Sequence, residues 1–345
     1  MRAVVYHGAR DLRVETVDDA SVVSPTDAVV RVTHAAICGS DLWFYRGISP
    51  YEPGRRVGHE FIGVVEDTGS EVPNLRRGDR VMASMVIADG SCDYCRDELP
   101  TNCRQGAFFG WPGIDGGQGE AVRVPQAGGT LFRLPDGLPD DDPLLERILP
   151  LTDVMSTGQH AAMLSEVAAG SAVAVIGDGA VGLCAVRAAS RLGADRIVLM
   201  GAHPDRLELG RRFGATDVVR ARGTEGREAV FEIAPDGVHS VMECVGTQES
   251  LDTAVAIARP GGHVGMVGAP HTDGRIDIGR IFRHNIGVRA GITPVQRYLA
   301  DLLHSVLNGS LDVSPIFTSS VALADVVAGY EGMDSRRDIK VLIRI

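Results

Sequence analysis

The spacing of apolar residues changes character along the chain. Up to about residue 150, short runs of Val, Ile and Ala broken by Gly and Pro predict strands at 3–6, 28–36, 61–68, 79–82 and 121–124, the punctuation of a small β-barrel. From about 153 to 292, apolar runs alternate with stretches of helical period. The runs at 172–176, 196–200, 239–243 and 262–267 read as buried parallel strands, and their alternation with helices predicts a doubly wound sheet. The remaining residues carry a helix at 297–307 and a strand at 339–343, which is expected to return to the first domain. The predicted division is therefore 1–152, 153–292 and 293–345.

The sharpest junction follows the run at 172–176. It enters Gly177-Asp178-Gly179-Ala180-Val181-Gly182, after which Leu183, Val186, Ala189 and Leu192 continue at helical spacing. Strand, glycine turn and helix in that order present free N–H groups and the positive end of the helix dipole to a pyrophosphate. The first glycine permits the turn, the second the approach of the phosphate and the third the packing of helix on strand. Gly177, Gly179, Ala180, Val181 and Gly182 are accordingly predicted to hold a dinucleotide. An NAD site usually closes its second strand with an acid that binds the ribose 2′-hydroxyl. Here that strand runs into Gly201-Ala202-His203-Pro204-Asp205-Arg206, without the acid. Gly201 is expected to leave room, and His203 and Arg206 to meet a 2′-phosphate. NADP is thus the expected cofactor and NAD the alternative; a solvated helix face is the other reading of Arg206. Gly246 and Gly268, each just after a strand, are expected at the ligand-binding edge of the sheet.

Composition narrows the function classes. A chain of 345 residues supports about two domains. A net charge of -11 argues against binding a nucleic-acid backbone. No apolar run nears the roughly 20 residues of a membrane span, and the opening Met1 to Gly8 reads as a strand rather than a signal peptide. A cytoplasmic location, with no membrane partner, is expected. Cysteines 92, 95 and 103 cluster, which in a reducing compartment reads as metal binding rather than a disulfide framework.

Two sets of metal-ligating residues emerge. Cys38-Gly39-Ser40-Asp41 and Gly58-His59-Glu60 offer a thiolate and an imidazole, and Asp153 is the candidate third ligand, or else the N-cap of the helix that follows. Three protein ligands and an open position is the catalytic zinc pattern. Asp41 suits the other ring nitrogen of His59, or caps a turn. Asp89, Cys92, Cys95 and Cys103 form D-x2-C-x2-C-x7-C, a closed set of four suited to structural zinc. Trp43, Phe108, Phe109 and Trp111 are candidate walls of a substrate pocket, or ordinary core.

These motifs, with Asp115-Gly116-Gly117-Gln118-Gly119-Glu120-Ala121 and the stretch at 152–158, resemble the zinc-dependent medium-chain alcohol dehydrogenases over nearly the whole chain. The resemblance implies an α/β architecture: a GroES-like β-barrel catalytic domain, built from both ends of the chain, with a Rossmann domain inserted. It implies a catalytic Zn²⁺ and a second, structural one. Asp153 matches members with aspartate in place of a second cysteine, and Glu60 matches a glutamate near the metal that can exchange as a ligand. The turns Val245-Gly246 and Val267-Gly268 would approach the ribose and nicotinamide. Lys340 matches a basic position that can touch the pyrophosphate, a surface lysine being the other reading. A homodimer or homotetramer is implied.

Two positions depart from the family pattern. Asp89 stands where many relatives have the first of four cysteines, and Trp43 where a histidine commonly ends a proton relay. The expected reaction is hydride transfer between a small alcohol or carbonyl compound and NADP. The metal would polarise the alcohol oxygen and Ser40 would accept its proton. A zinc-free quinone or enoyl reductase on the same fold, and a non-catalytic nucleotide-binding redox sensor, are the alternatives.

Overall fold

The computed structural model describes residues 1–270 and 273–345. Contacts divide the chain into two compact units, Met1–Asp153 with Pro294–Ile345, and Val154–Thr293. Each boundary lies one residue later than expected. Asp153 falls to the first unit because it ends a buried 3-10 turn, Leu149–Thr152.

The first unit holds β1 (Arg2–Gly8), β2 (Asp11–Thr16), β3 (Ala28–Ala36), α1 (Asp41–Tyr45), β4 (Glu60–Thr68), β5 (Arg80–Ala83), β6 (Val86–Ile87), α2 (Asp93–Arg96), β7 (Ala107–Phe108), β8 (Ala121–Val124), α3 (Ala127–Thr130), β9 (Leu131–Arg133) and α4 (Pro143–Ile148). The second holds α5 (Val154–Leu164), β10 (Ala172–Ile176), α6 (Ala180–Arg191), β11 (Arg196–Met200), α7 (Pro204–Phe213), β12 (Asp217–Val219), α8 (Gly223–Ile233), β13 (Val238–Glu243), α9 (Gln248–Ile257), β14 (Ala258–Met266), α10 (Ile278–His284) and β15 (Gly287–Ala290). The chain returns to the first unit with α11 (Val295–Leu307), β16 (Phe317–Ala322), α12 (Val326–Asp334) and β17 (Lys340–Arg344).

The main sheet of the first unit runs β16-β17-β3-β4-β5-β9, and β8 also pairs with β3. Leu342 of β17 lies opposite Ala36 of β3, so the far end of the chain completes the sheet begun near its start. Register slips at Val29/Val30 and Val32/His34 interrupt the β3–β4 ladder. Such bulges bend a strand and strengthen its twist. One apolar core gathers Val4, Val30, Phe61, Val81, Val122 and Val341 with Tyr330 of α12, and every β3 residue but Arg31 is buried.

The second unit is a parallel sheet of order β12-β11-β10-β13-β14-β15. Its order reverses between β10 and β13, and ligands bind at the carboxyl ends of strands flanking such a switch. The turns at Gly177 and at 244–246 leave the sheet there. The flanking strands β12 and β15 escape the sequence pattern. One has three residues, and the other is the short, partly exposed Gly-Val-Arg-Ala. Among the described residues no helix is long and apolar enough to cross a membrane.

Gly158 of α5 packs on α6, where an added Cβ would lie 2.5 Å from Ala185 N and 2.6 Å from the Cys184 carbonyl carbon. Overpacking of this kind costs about 1–3 kcal/mol. Gly158→Ala is therefore expected to lower the urea midpoint, while Gly39→Ala, whose Cβ would meet nothing within 4 Å, leaves it unchanged. Equal midpoints for the two variants would contradict this packing.

Candidate metal centre and nucleotide turn

The β3–β4 register brings the first ligands together. Ala36 pairs with Glu60, so Cys38, two residues past one strand, and His59, one before the other, meet at the same end of the sheet. The turn Leu149–Thr152 delivers Asp153 to that end. One ligand atom each from Cys38, His59, Glu60 and Asp153 lies within 4.8 Å of the others. The Cys38 thiol donates to Asp153 Oδ2 at 3.0 Å, and His59 Nε2 is 3.4 Å from the same oxygen. His59 Nδ1 faces Asp41 Oδ1 at 3.4 Å, while Asp41 Oδ2 accepts from the Cys38 N–H at 3.0 Å. Asp41 thus caps the turn through Oδ2 while its Oδ1 meets the histidine, and Asp153 Oδ2 meets the thiol and the histidine.

Burial sets the electrostatics. It pushes the Cys38 thiol up to about 12, with the Asp153 charge adding to the effect. Burial alone would lower the His59 pKa, but Asp41 and Cys38 raise it well above its ordinary value. Asp153 is held below the usual carboxylate range because hydrogen bonding to His59 outweighs its burial. A divalent cation fits this donor set. Sulfur, nitrogen and carboxylate oxygen are zinc ligands, and coordination deprotonates a thiol. Glu60 adds a second sign of fit, because its Oε2 is buried without a hydrogen-bond partner.

The other Glu60 oxygen accepts from Lys340 Nζ at 2.6 Å, and Lys340 also donates to the Ile37 carbonyl at 3.2 Å. Lys340 is 1% exposed. This corrects both expectations for it, since its ammonium is neither at the surface nor directed to a pyrophosphate but committed to Glu60. Burial raises Glu60 to about 7, against the pull of Lys340. Gln118 and Tyr330 complete the surroundings. Gln118 Nε2 donates to the Ala36 carbonyl at 3.2 Å and reaches Asp41 Oδ2 at 3.5 Å, while its Oε1 accepts from the Tyr330 hydroxyl at 2.9 Å. Gly58, at φ +96°, leaves Gln118 its space. Sequence reasoning quoted Gln118 without giving it a role and missed Tyr330 altogether. A buried polar residue in a Gly-Gly-Gln-Gly run was the available signal for the first, and no local pattern marked the second.

Ser40 is exposed at the start of α1 and makes no capping bond. Trp43 is half-buried, with the Arg46 guanidinium 5.9 Å from its ring centre. Trp111 is 51% exposed and rests on Phe108. Phe109 is corrected from pocket wall to core: it is buried edge-on against Phe61, ring centres 5.1 Å apart.

Asp89, Cys92, Cys95 and Cys103 also bring ligand atoms within 4.8 Å of one another. Asp89 Oδ1 accepts from the N–H groups of Ser91 at 2.7 Å and Cys92 at 2.9 Å, and its own N–H donates to Cys103 Sγ at 3.2 Å. Asp89 is half-buried, and one of its carboxylate oxygens lies within 4.8 Å of the three thiols. Burial would raise its pKa, but the Ser91 and Cys92 amides hold it down.

In the second unit, Gly177 has φ +113°, and a Cβ on Gly182 would collide with the Gly177 carbonyl. Space over Gly179 is open to 4 Å, and Gly179 starts α6 with no side-chain cap, which leaves the first N–H groups of Ala180 and Val181 available to a phosphate. A dinucleotide fits this cradle. Gly246, at φ +84°, and Gly268 press backbone on backbone, and Val245 is partly exposed beside them. Glu243, absent from the sequence expectations, fixes this turn by accepting the Val245 and Gly246 N–H groups at 2.8 Å each.

The room expected over Gly201 is not open. The volume over Gly201 holds Asp178, whose Oδ2 accepts from the N–H groups of Ala202 at 2.8 Å and His203 at 2.9 Å. His203 Nδ1 lies 2.9 Å from the same oxygen. Arg206 is buried, not on a solvated face.

The Glu60–Lys340 pair has a measurable consequence. Removing one partner of a buried ion pair typically costs about 3–5 kcal/mol. Lys340→Met is expected to show that loss in chemical denaturation, and Lys340→Met with Glu60→Gln to regain most of it; equal losses would contradict the pairing.

The comparisons with known proteins agree with this geometry. The family profile Alcohol dehydrogenase GroES-like domain matches residues 24–136, and the profile Zinc-binding dehydrogenase matches residues 180–306. The probable zinc-binding alcohol dehydrogenase of Mycobacterium tuberculosis is 36% identical, over 96% of this chain and 84% of its own. An alcohol dehydrogenase of Thermus sp. ATN1 superposes with a TM-score of 0.93 at 34% identity, covering 100% of this chain and 99% of that one. A zinc-binding dehydrogenase of Sinorhizobium meliloti, solved with NADP bound, gives 0.84 at 27% identity, with 100% and 99% covered. The chain belongs to the zinc-dependent medium-chain alcohol dehydrogenase family, with a GroES-like domain and a Rossmann sheet.

Proposed function

We propose that the protein transfers hydride between a small-molecule alcohol, or its carbonyl counterpart, and a nicotinamide dinucleotide. The observation that carries this reading is the convergence of Cys38, His59, Glu60 and Asp153 in a buried cluster. Zinc would supply Lewis acidity at the substrate C–O group, and the nicotinamide would exchange the hydride. Cys38, His59 and Asp153 would hold the metal. Asp41 holds Nδ1 of His59 and so turns Nε2 to the cluster. Glu60 stands in reserve as a ligand, its charge balanced by Lys340. Ser40, exposed next to Cys38, takes the hydroxyl proton. Trp43 cannot pass it on as a histidine would, so it leaves through the cofactor hydroxyls or water. Trp43 and Trp111 suit a bulky apolar substrate.

NADP is one reading of the cofactor, supported by the lack of an acid at position 201 and by the NADP-bound relative. NAD is a second reading, favoured by the Asp178 carboxylate over Gly201. A second zinc in the Asp89, Cys92, Cys95 and Cys103 lobe is proposed as structural. None of the six cysteines forms a disulfide among the described residues, which suits a reducing cytoplasm. A homodimer or homotetramer formed through the parallel sheets is the proposed assembly.

Metal analysis is expected to give two zinc ions per chain. Cys38→Ser should lose one of them and all alcohol oxidation while still binding nicotinamide dinucleotide by fluorescence titration. Turnover surviving in that variant would favour the zinc-free reductase, and a wild type inert across alcohol and carbonyl panels would favour the redox sensor. Cys103→Ser should also lose one zinc, with a lowered Tm and an intact catalytic cluster.

A further inference from the structure

An acid at the end of the second strand is the usual means by which a Rossmann site holds a ribose 2′-hydroxyl and repels a 2′-phosphate. Position 201 is where that acid would stand, and it is glycine. A Cβ built on Gly201 would lie 2.5 Å from Asp178 Cβ and 2.6 Å from Asp178 Oδ2. The space that a strand-end side chain would enter is therefore taken by a carboxylate from a different strand, the one at the start of the glycine turn. The two residues exclude each other: an acid at 201 requires a smaller residue at 178, and Asp178 requires Gly201.

The Asp178 carboxylate is fixed in place. Its Oδ2 takes the N–H groups of Ala202 and His203 and the His203 imidazole. Burial would raise its pKa, but the hydrogen bonds from His203 outweigh burial and keep it ionised. Its Oδ1 has no hydrogen-bond partner among the described residues and is not sealed from solvent. One fixed, charged acceptor thus remains at the end of β11. His203, which the sequence offers as a phosphate ligand, has its Nδ1 occupied by this same carboxylate.

We propose that Asp178, supplied from the glycine turn instead of the second strand, is the residue by which this site discriminates for the 2′-hydroxyl of NAD and against the 2′-phosphate of NADP. The proposal rests on the dinucleotide reading of the turn given above. Oδ1 accepts the ribose hydroxyl, and a phosphate at that point meets an ionised carboxylate whose neighbouring imidazole is already engaged. The discrimination acts on binding, before any hydride moves.

The test is fluorescence titration of the full-length protein with NADH and with NADPH, without substrate, for wild type, Asp178→Ala and Asp178→Asn. Removing one fixed charge next to a multiply charged phosphate is expected to move the NADH/NADPH affinity ratio toward NADPH by about tenfold in Asp178→Ala. Asp178→Asn, which keeps the shape and an acceptor oxygen, should move it in the same direction, and carries the test if the alanine variant fails to fold. A shift under about twofold, or one toward NADH, in the folded variant overturns the role of Asp178. Failure of the wild type to bind either dinucleotide would overturn the nucleotide reading itself, a result distinct from an unchanged ratio.

Discussion

Burial of like charge at one end of the β3–β4 pair is the constraint on which the rest of the first unit depends. Three carboxylates, Asp41, Glu60 and Asp153, and the thiol of Cys38 share a pocket with two basic groups, His59 and Lys340. Such a collection is costly in a low-dielectric interior unless each group is paired or bound to a cation. The pairings reflect this. Lys340 is committed to Glu60, His59 to Asp41 and Asp153, and the Cys38 thiol to Asp153. One buried acceptor, Glu60 Oε2, is left over on a residue of the metal-ligating cluster.

That constraint accounts for features remote in sequence. β17 brings Lys340 against Glu60, so the last strand serves the site as well as the sheet. Tyr330 of α12 holds Gln118, which reaches Asp41, which orients His59. The chain from hydroxyl to amide to carboxylate to imidazole spans residues from the two ends of the sequence. The absence of a Cβ at Gly58 gives Gln118 room beside His59.

Local grammar made the parallel sheet and the glycine turn legible: β10 and β11 follow unbroken apolar runs, and the Gly177-to-Gly182 spacing has one common physical use. Cys38, His59 and Asp153 were legible as donors because their residue types are distinctive. What pattern could not supply was pairing across space. Lys340 reads as a pyrophosphate contact or a surface lysine until β17 is laid against β3. Gly201 reads as open room until Asp178 is seen to fill it. Phe109 reads as a wall until it is found edge-on to Phe61. The short strands β12 and β15 were silent because three or four residues carry no period, and sheet position alone defines them.

The most direct test of the metal centre is zinc K-edge absorption on Cys103→Ser protein, in which the lobe has been emptied and the remaining zinc reports on the catalytic cluster alone. The account predicts a shell of one sulfur at about 2.3 Å, one imidazole nitrogen and carboxylate or water oxygen, the signature of Cys38, His59 and Asp153. A shell with no sulfur, with two or more, or protein that retains no zinc after the lobe is removed would contradict it.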